Sequence, residues 1–286
     1  MGLVSMLAML ASGCGGAGQS SAQAQPPTTS PASTPATKPV GLMVIGHSGL
    51  TGENTDPSQP GRPVLRNSWA TGSSTRVDSV YARLVAVLPQ TQGHVVNAAV
   101  GGAVVSDLLG QASAALAVVP HPALVIVQTI DNDIRCDGTD AANTADFGDT
   151  LKAVLTSITR ASPASKILVV GQLGRPDPAF IRHEVAVHPE VLAGMTGSGI
   201  CDFFDPRGRM EPAGFTRLTK IIDGYESEQA RVCARFPTCH TDGGVRAAYR
   251  DRLANFTGDF AHLDVRGQAA EAALIWPVVT RILGLS

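Results

Sequence analysis

The chain has 286 residues, 44% of them hydrophobic, enough to bury a core in one large domain or two small ones. Its 22 Lys and Arg against 24 Asp and Glu leave a net charge of −2, with no basic block to track a phosphate backbone, so nucleic acid is excluded as the expected partner.

The first forty residues differ in composition from the rest. "GLVSMLAML" is apolar but too short to span a bilayer, and it runs into "ASGC", small residues ending at Cys14. Residues 1–14 therefore read as a signal segment of the bacterial lipoprotein type, with Cys14 as the lipidated anchor, or else as a plain secretory signal. Residues 15–40, almost entirely small and polar with five of the chain's prolines, show no apolar periodicity. They cannot bury enough surface to offset the entropy of ordering and read as a disordered tether. The expected location is the cell envelope, reached through that lipid anchor, or the exterior.

From residue 41 to 286 one domain is expected. Four apolar runs, "GLMVIG" (41–46), "HVVNAA" (94–99), "ALVIVQT" (123–129) and "KILVVGQ" (166–172), lack polar alternation and have the length of strands buried on both faces. Helical patterns lie between them at about 75–88, 104–118 and 144–160. Strand alternating with helix predicts a three-layer α/β/α domain around a parallel sheet of the flavodoxin-like kind. After the fourth run the rhythm breaks, and an insertion is expected at about 173–255, helical at "FTRLTKIIDGYESEQARVCARF" and "GVRAAYRDRLANF". A polar turn and a terminal helix close the chain.

Apart from Cys14 there are four cysteines, an even set that reads as two disulfides in an exported chain. Of the three possible pairings, Cys233 with Cys239 closes a tight loop around Pro237, and Cys136 with Cys201 ties two distant loops; this is the favoured set. Metal binding is not expected: there is no CxxC, and in "HEVAVH" His183 and His188 stand five apart, which on a helix puts them on different faces. No cofactor is implied.

Three of the loops that follow the runs carry residues with chemical potential. Ser48 follows the first in "VIGHSGLTG", a turn that glycines allow to be sharp. Gly102 follows the second in "NAAVGGAVVSDLL", where backbone N–H groups can point outward at the start of a helix. Asn132 follows the third in "VIVQTIDNDI", with a side-chain amide to donate or, alternatively, to form an Asx turn or cap. Near the end, "DFAH" sets Asp259 three residues before His262, close enough for the carboxylate to orient the imidazole, although a surface Asp and a capping His would give the same spacing.

Taken in order, GHS, an Asn followed five residues later by Gly, an Asn-Asp, and DxxH before the last helix resemble the four blocks of the SGNH (GDSL-type) hydrolases. The resemblance implies a serine esterase acting on acetyl or short-chain acyl esters of glycans or lipids. Ser48 would be the nucleophile, His262 the base and Asp259 its orienting acid, with an oxyanion hole from the Ser48 N–H, the Gly102 N–H and the Asn132 side chain. Two positions depart from the family pattern: His47 stands where GDS has aspartate, and Ile130 where GxND has glycine. The alternatives are a binding protein that keeps the fold without the activity and an α/β-hydrolase. The second is weakened because "GHSGL" lacks the fifth glycine of the GxSxG elbow and follows the first strand.

Overall fold

In the computed structural model, the described residues are 38–197 and 199–285. The expectations for Cys14, for the 1–14 signal segment and for the tether up to residue 37 lie outside them. Five strands form one parallel sheet: β1 (Leu42–Gly46), β2 (Val95–Asn97), β3 (Leu124–Gln128), β4 (Lys166–Val170) and β5 (Cys239–Thr241), in the order β2-β1-β3-β4-β5. Among the described residues six α-helices accompany it: α1 (Val80–Val87), α2 (Leu108–Val118), α3 (Asp140–Ala161), α4 (Pro178–Val187), α5 (Pro212–Cys233) and α6 (Val265–Leu283). The expected three-layer class is the one observed, and the strand order is that of the flavodoxin-like doubly wound sheets.

The layers follow from the two-residue period of extended chain. Met43 and Ile45 of β1, with Val125, Val127, Ile167 and Val169 of the neighbouring strands, point to one face, where Leu108, Ala112, Leu151, Leu155 and Tyr225 of α2, α3 and α5 cover them. Leu42 and Val44, with Ile126, Leu168 and Val170, point to the other and meet Leu84 of α1 and Ala272, Ile275 and Val279 of α6. Every residue of β1 and β3 is buried, which is why these runs show no polar alternation.

Two expectations need correction. The segment 173–255 is not simply an insertion, because it contains α5 and β5, the crossover that completes the sheet. α5 packs on α3, with the rings of Phe147 and Tyr225 edge to face at 5.0 Å. β5 escapes notice because it is a three-residue edge strand, "CHT", with no apolar run. What remains outside the layers is α4 and the chain up to residue 211, gathered round a small apolar cluster of Ile181, Phe204 and Phe215. The second correction concerns "GVRAAYRDRLANF", which forms only the single turns Arg246–Ala248 and Leu253–Asn255. Arg246 is drawn into the interior by a carboxylate of α6, and Tyr249 and Arg252 take non-helical backbone, so no continuous helix can form.

Candidate active site

Ligands of doubly wound sheets sit beyond the carboxyl ends of the strands where the strand order reverses. Here that point lies between β1 and β3, with β2 on the far side of β1. β1 ends at Gly46, where the backbone passes so close to β3 that a Cβ would lie 2.2 Å from the Gln128 carbonyl oxygen. Gln111 of α2 clasps the same peptide, accepting from the Gly46 N–H at 2.7 Å and donating to its carbonyl at 3.0 Å. The chain then turns through Ser48–Leu50, capped by His47, whose Nδ1 accepts from the Gly49 N–H. Asn97 at the end of β2 donates to the Leu50 carbonyl and to Thr71, fixing the other end of this turn.

Ser48 opens on a cleft of about 500 Å³ that Gly102, Asn132 and His262 also line. The Ser48 and Gly102 N–H groups make no hydrogen bond among the described residues, and Gly102, at φ +77°, has open space where a side chain would be. The Asn132 amide donates one hydrogen to the Ala103 carbonyl at 3.0 Å, which holds it beside the Gly102 loop. The neighbouring Asp133 ties this region together, accepting from the Val105 N–H, the Ile130 N–H and the Thr129 hydroxyl.

The "DFAH" segment is a tight turn just before α6, closed by the Thr257 N–H on the His262 carbonyl. It is anchored by Asp264, which caps α6 through the Arg266 and Gly267 N–H groups. Asp259 Oδ2 stands 2.6 Å from His262 Nδ1, while Oδ1 accepts from the Thr257 hydroxyl and the Ala261 and His262 N–H groups. Burial works to raise the Asp259 pKa, but these hydrogen bonds to the ionised form outweigh it and hold the carboxyl well below the usual carboxylate range. Asn54, on the loop that follows Ser48, donates to Asp259 Oδ2 as well, so the serine loop and the acid turn are directly joined.

The two departures from the family pattern acquire a physical account. His47 is buried and its Nε2 lies 2.7 Å from Asp131 Oδ2, so an imidazole–carboxylate pair occupies the floor beside Ser48. Burial raises the Asp131 pKa, but His47, Arg246 and the Gln172 amide together bring it down to about 2. Ile130 adopts φ +99°, a region that favours glycine and is strained for a β-branched residue, while its side chain is wholly buried in the core.

Sequence reasoning missed a second ion pair in the same floor, one buried at both ends where Asp131 of the first is partly exposed. Arg246 Nη2 lies 2.7 Å from Glu271 Oε1, with both side chains 2% exposed. Arg246 also donates to the Gly171 carbonyl. Burial, reinforced by nearby Asp131, pushes the Glu271 pKa up to about 6 in spite of Arg246 and His47. One signal was readable: Glu271 sits four residues from both Gly267 and Ile275, on the apolar stripe of an amphipathic helix, where an unpaired carboxylate would be costly.

The structure joins Cys136 to Cys201 and Cys233 to Cys239. The first bridge fastens the loop of Asn132 to the segment that follows α4. No family model and no curated protein matches the sequence. Among solved structures, the chain is similar to a protein assigned as a GDSL-like lipase from Parabacteroides merdae (15% identity, 87% of this chain and 97% of that one, TM-score 0.51). It is also similar to a lipase from a goat rumen metagenome (11% identity, 82% and 95%, TM-score 0.51) and to a protein from Streptococcus pneumonia assigned as a platelet activating factor (15% identity, 86% and 86%, TM-score 0.50). The fold is that of the SGNH, or GDSL-type, hydrolases.

Proposed function

We propose that the chain is a serine esterase that hydrolyses carboxylic esters through an acyl-enzyme. Ser48 Oγ attacks the ester carbonyl and His262 takes its proton, while Asp259 orients the imidazole and stabilises its protonated form. The Ser48 and Gly102 N–H groups and the Asn132 amide receive the oxyanion. Collapse of the tetrahedral intermediate expels the alcohol with the proton held by His262, and water then repeats the sequence on the acyl-serine. The observation that carries this reading is that His262, held at 2.6 Å by Asp259, lines the same cleft as Ser48, at the point where the strand order reverses.

The test is covalent labelling by a fluorophosphonate together with hydrolysis of p-nitrophenyl acetate. Wild type is expected to label and to turn over. Ser48→Ala should do neither while folding normally, since loss of a serine nucleophile costs about a millionfold in comparable enzymes. A mutant that keeps more than a few per cent of activity overturns the assignment.

Export fits the same reading. Two disulfides suit an oxidising compartment, and no helix among the described residues is long and apolar enough to cross a membrane. Attachment would then rest on lipidation of Cys14, which metabolic labelling with a palmitate analogue tests against Cys14→Ala.

A further inference from the structure

Ser48 and the Asp259–His262 turn come from opposite ends of the described chain, yet a nucleophile and its base must stand within hydrogen-bond reach. Most of what holds the Asp259–His262 pair is local. The Thr257 hydroxyl and the Ala261 and His262 N–H groups donate to Asp259 Oδ1, and the His262 ring faces Oδ2. These contacts set acid against base without fixing where the two stand relative to Ser48. Among the described residues one hydrogen bond reaches Asp259 from outside residues 257–262: the Asn54 amide donates to Oδ2, the oxygen that faces His262, across 205 residues of sequence.

Asn54 is itself tied closely to Ser48. The Thr51 N–H and hydroxyl both donate to the Ser48 carbonyl at 2.9 Å, and the Thr55 hydroxyl donates to the Gly52 carbonyl at 2.7 Å. The buried Asn67 amide holds Thr55 in turn, at 2.9 Å. The backbone from the nucleophile to Asn54 is thus a run of closed turns. The direction of the Asn54 amide is chemically determined, because its Oδ1 accepts from the Gly61 N–H at 2.5 Å and its Nδ2 meets an acceptor-only carboxylate. Asn54 has φ +59°, which glycine would satisfy at least as well, so the backbone alone does not call for this side chain. The Asp259 carboxylate does.

We infer that Asn54 is a positioning residue: its amide, carried on the nucleophile's own loop, grips Asp259 and so sets the Asp259–His262 pair at its working distance from Ser48. This deepens the esterase reading and rests on it for the catalytic consequence, though not for the contact. Loss of the grip acts on turnover and on the reactivity of Ser48 more than on substrate affinity, since misplacing reacting groups by about 1 Å can cost about 10²-fold.

Two substitutions separate the grip from simple support of the loop. Asn54→Gly suits the positive φ and removes both side-chain hydrogen bonds. Asn54→Asp keeps an acceptor for the Gly61 N–H but sets a carboxylate against Asp259 in place of the donor. At pH 8 both are expected to lower kcat on p-nitrophenyl acetate by about 10- to 100-fold, with little change in KM, and to slow fluorophosphonate labelling in step. Wild-type kcat in either variant, or a loss that falls on KM alone, overturns the inference. Proton NMR of the Ser48→Ala protein reads the contact without the chemistry. Asn54 and the His262 Nδ1–H share one oxygen of Asp259, so adding Asn54→Gly should strengthen the remaining bond and move the low-field Nδ1–H resonance downfield. That shift supports the grip even if wild type fails to label and the esterase reading falls; an unmoved resonance overturns the grip even if labelling succeeds.

Discussion

Single residues in this site work through the groups they hold. Asn132 donates one hydrogen to Ala103 and has a second to offer the cleft, so Asn132→Ala is expected to lower kcat by about 10² to 10³ with little change in KM, the usual cost of one oxyanion donor. Steady-state kinetics on p-nitrophenyl acetate checks this, and an unchanged kcat would return Asn132 to a loop-capping role. Ile130 sets two effects against each other. Glycine there would relieve backbone strain of about 1–3 kcal/mol, but losing a wholly buried Ile side chain costs about 2–5 kcal/mol. Burial wins, and Ile130→Gly should destabilise the fold by about 1 to 3 kcal/mol in urea titration. The core thus explains how an isoleucine can stand where the family pattern has glycine.

At the scale of elements, the two disulfides differ in what they constrain. Cys136–Cys201 spans 65 residues and Cys233–Cys239 only 6. By loop-closure entropy the long bridge should contribute about 4 kcal/mol and the short one about 2 kcal/mol. The paired Cys→Ser variants, compared by urea unfolding, are expected to keep that order. Only the first should also slow turnover, because Cys136 follows the Asn132 loop by four residues whereas the second bridge staples the end of α5 to the edge strand β5. Equal kinetic effects from both would show that the long bridge has no special connection with the loop.

For the whole molecule, the buried charges under the cleft make stability depend on pH. Glu271 has a folded pKa of about 6 against its ordinary 4.5, so the folded chain binds this proton more tightly than the unfolded one. The resulting stabilisation, about 2 kcal/mol, is complete below pH 4.5 and disappears as pH rises through 6. Asp131 acts in the opposite direction: with its pKa brought from 3.8 to about 2, it stabilises above pH 3.8 and that contribution is lost as pH falls through 2. Denaturant titrations of wild type and Glu271→Gln from pH 4 to 7 should diverge in slope between about pH 4.5 and 6, with wild type losing more stability as pH rises. Parallel curves would mean that Glu271 titrates normally.

Much of this protein was legible along the chain. β1, β3 and β4 are buried on both faces, and that burial writes itself into the sequence as uninterrupted Val, Ile and Leu. The loops after β1, β2 and β3 could be placed on one edge of the sheet because parallel strands leave their carboxyl ends together, which made Ser48, Gly102 and Asn132 candidates for one cleft from the sequence alone. The Asp259–His262 spacing could be read because the partners are three residues apart and one turn brings them together. Other features depended on which elements become neighbours, and no local pattern records that. β5 is too short and too near the edge to need an apolar run. His47 meets Asp131 only because β1 lies beside β3, and Arg246 meets Glu271 only because a loop after β5 folds against α6. A buried charge is tolerable only when its counter-charge arrives from elsewhere in the chain, so these pairs, and the polarity of the cleft they floor, were decided by tertiary structure.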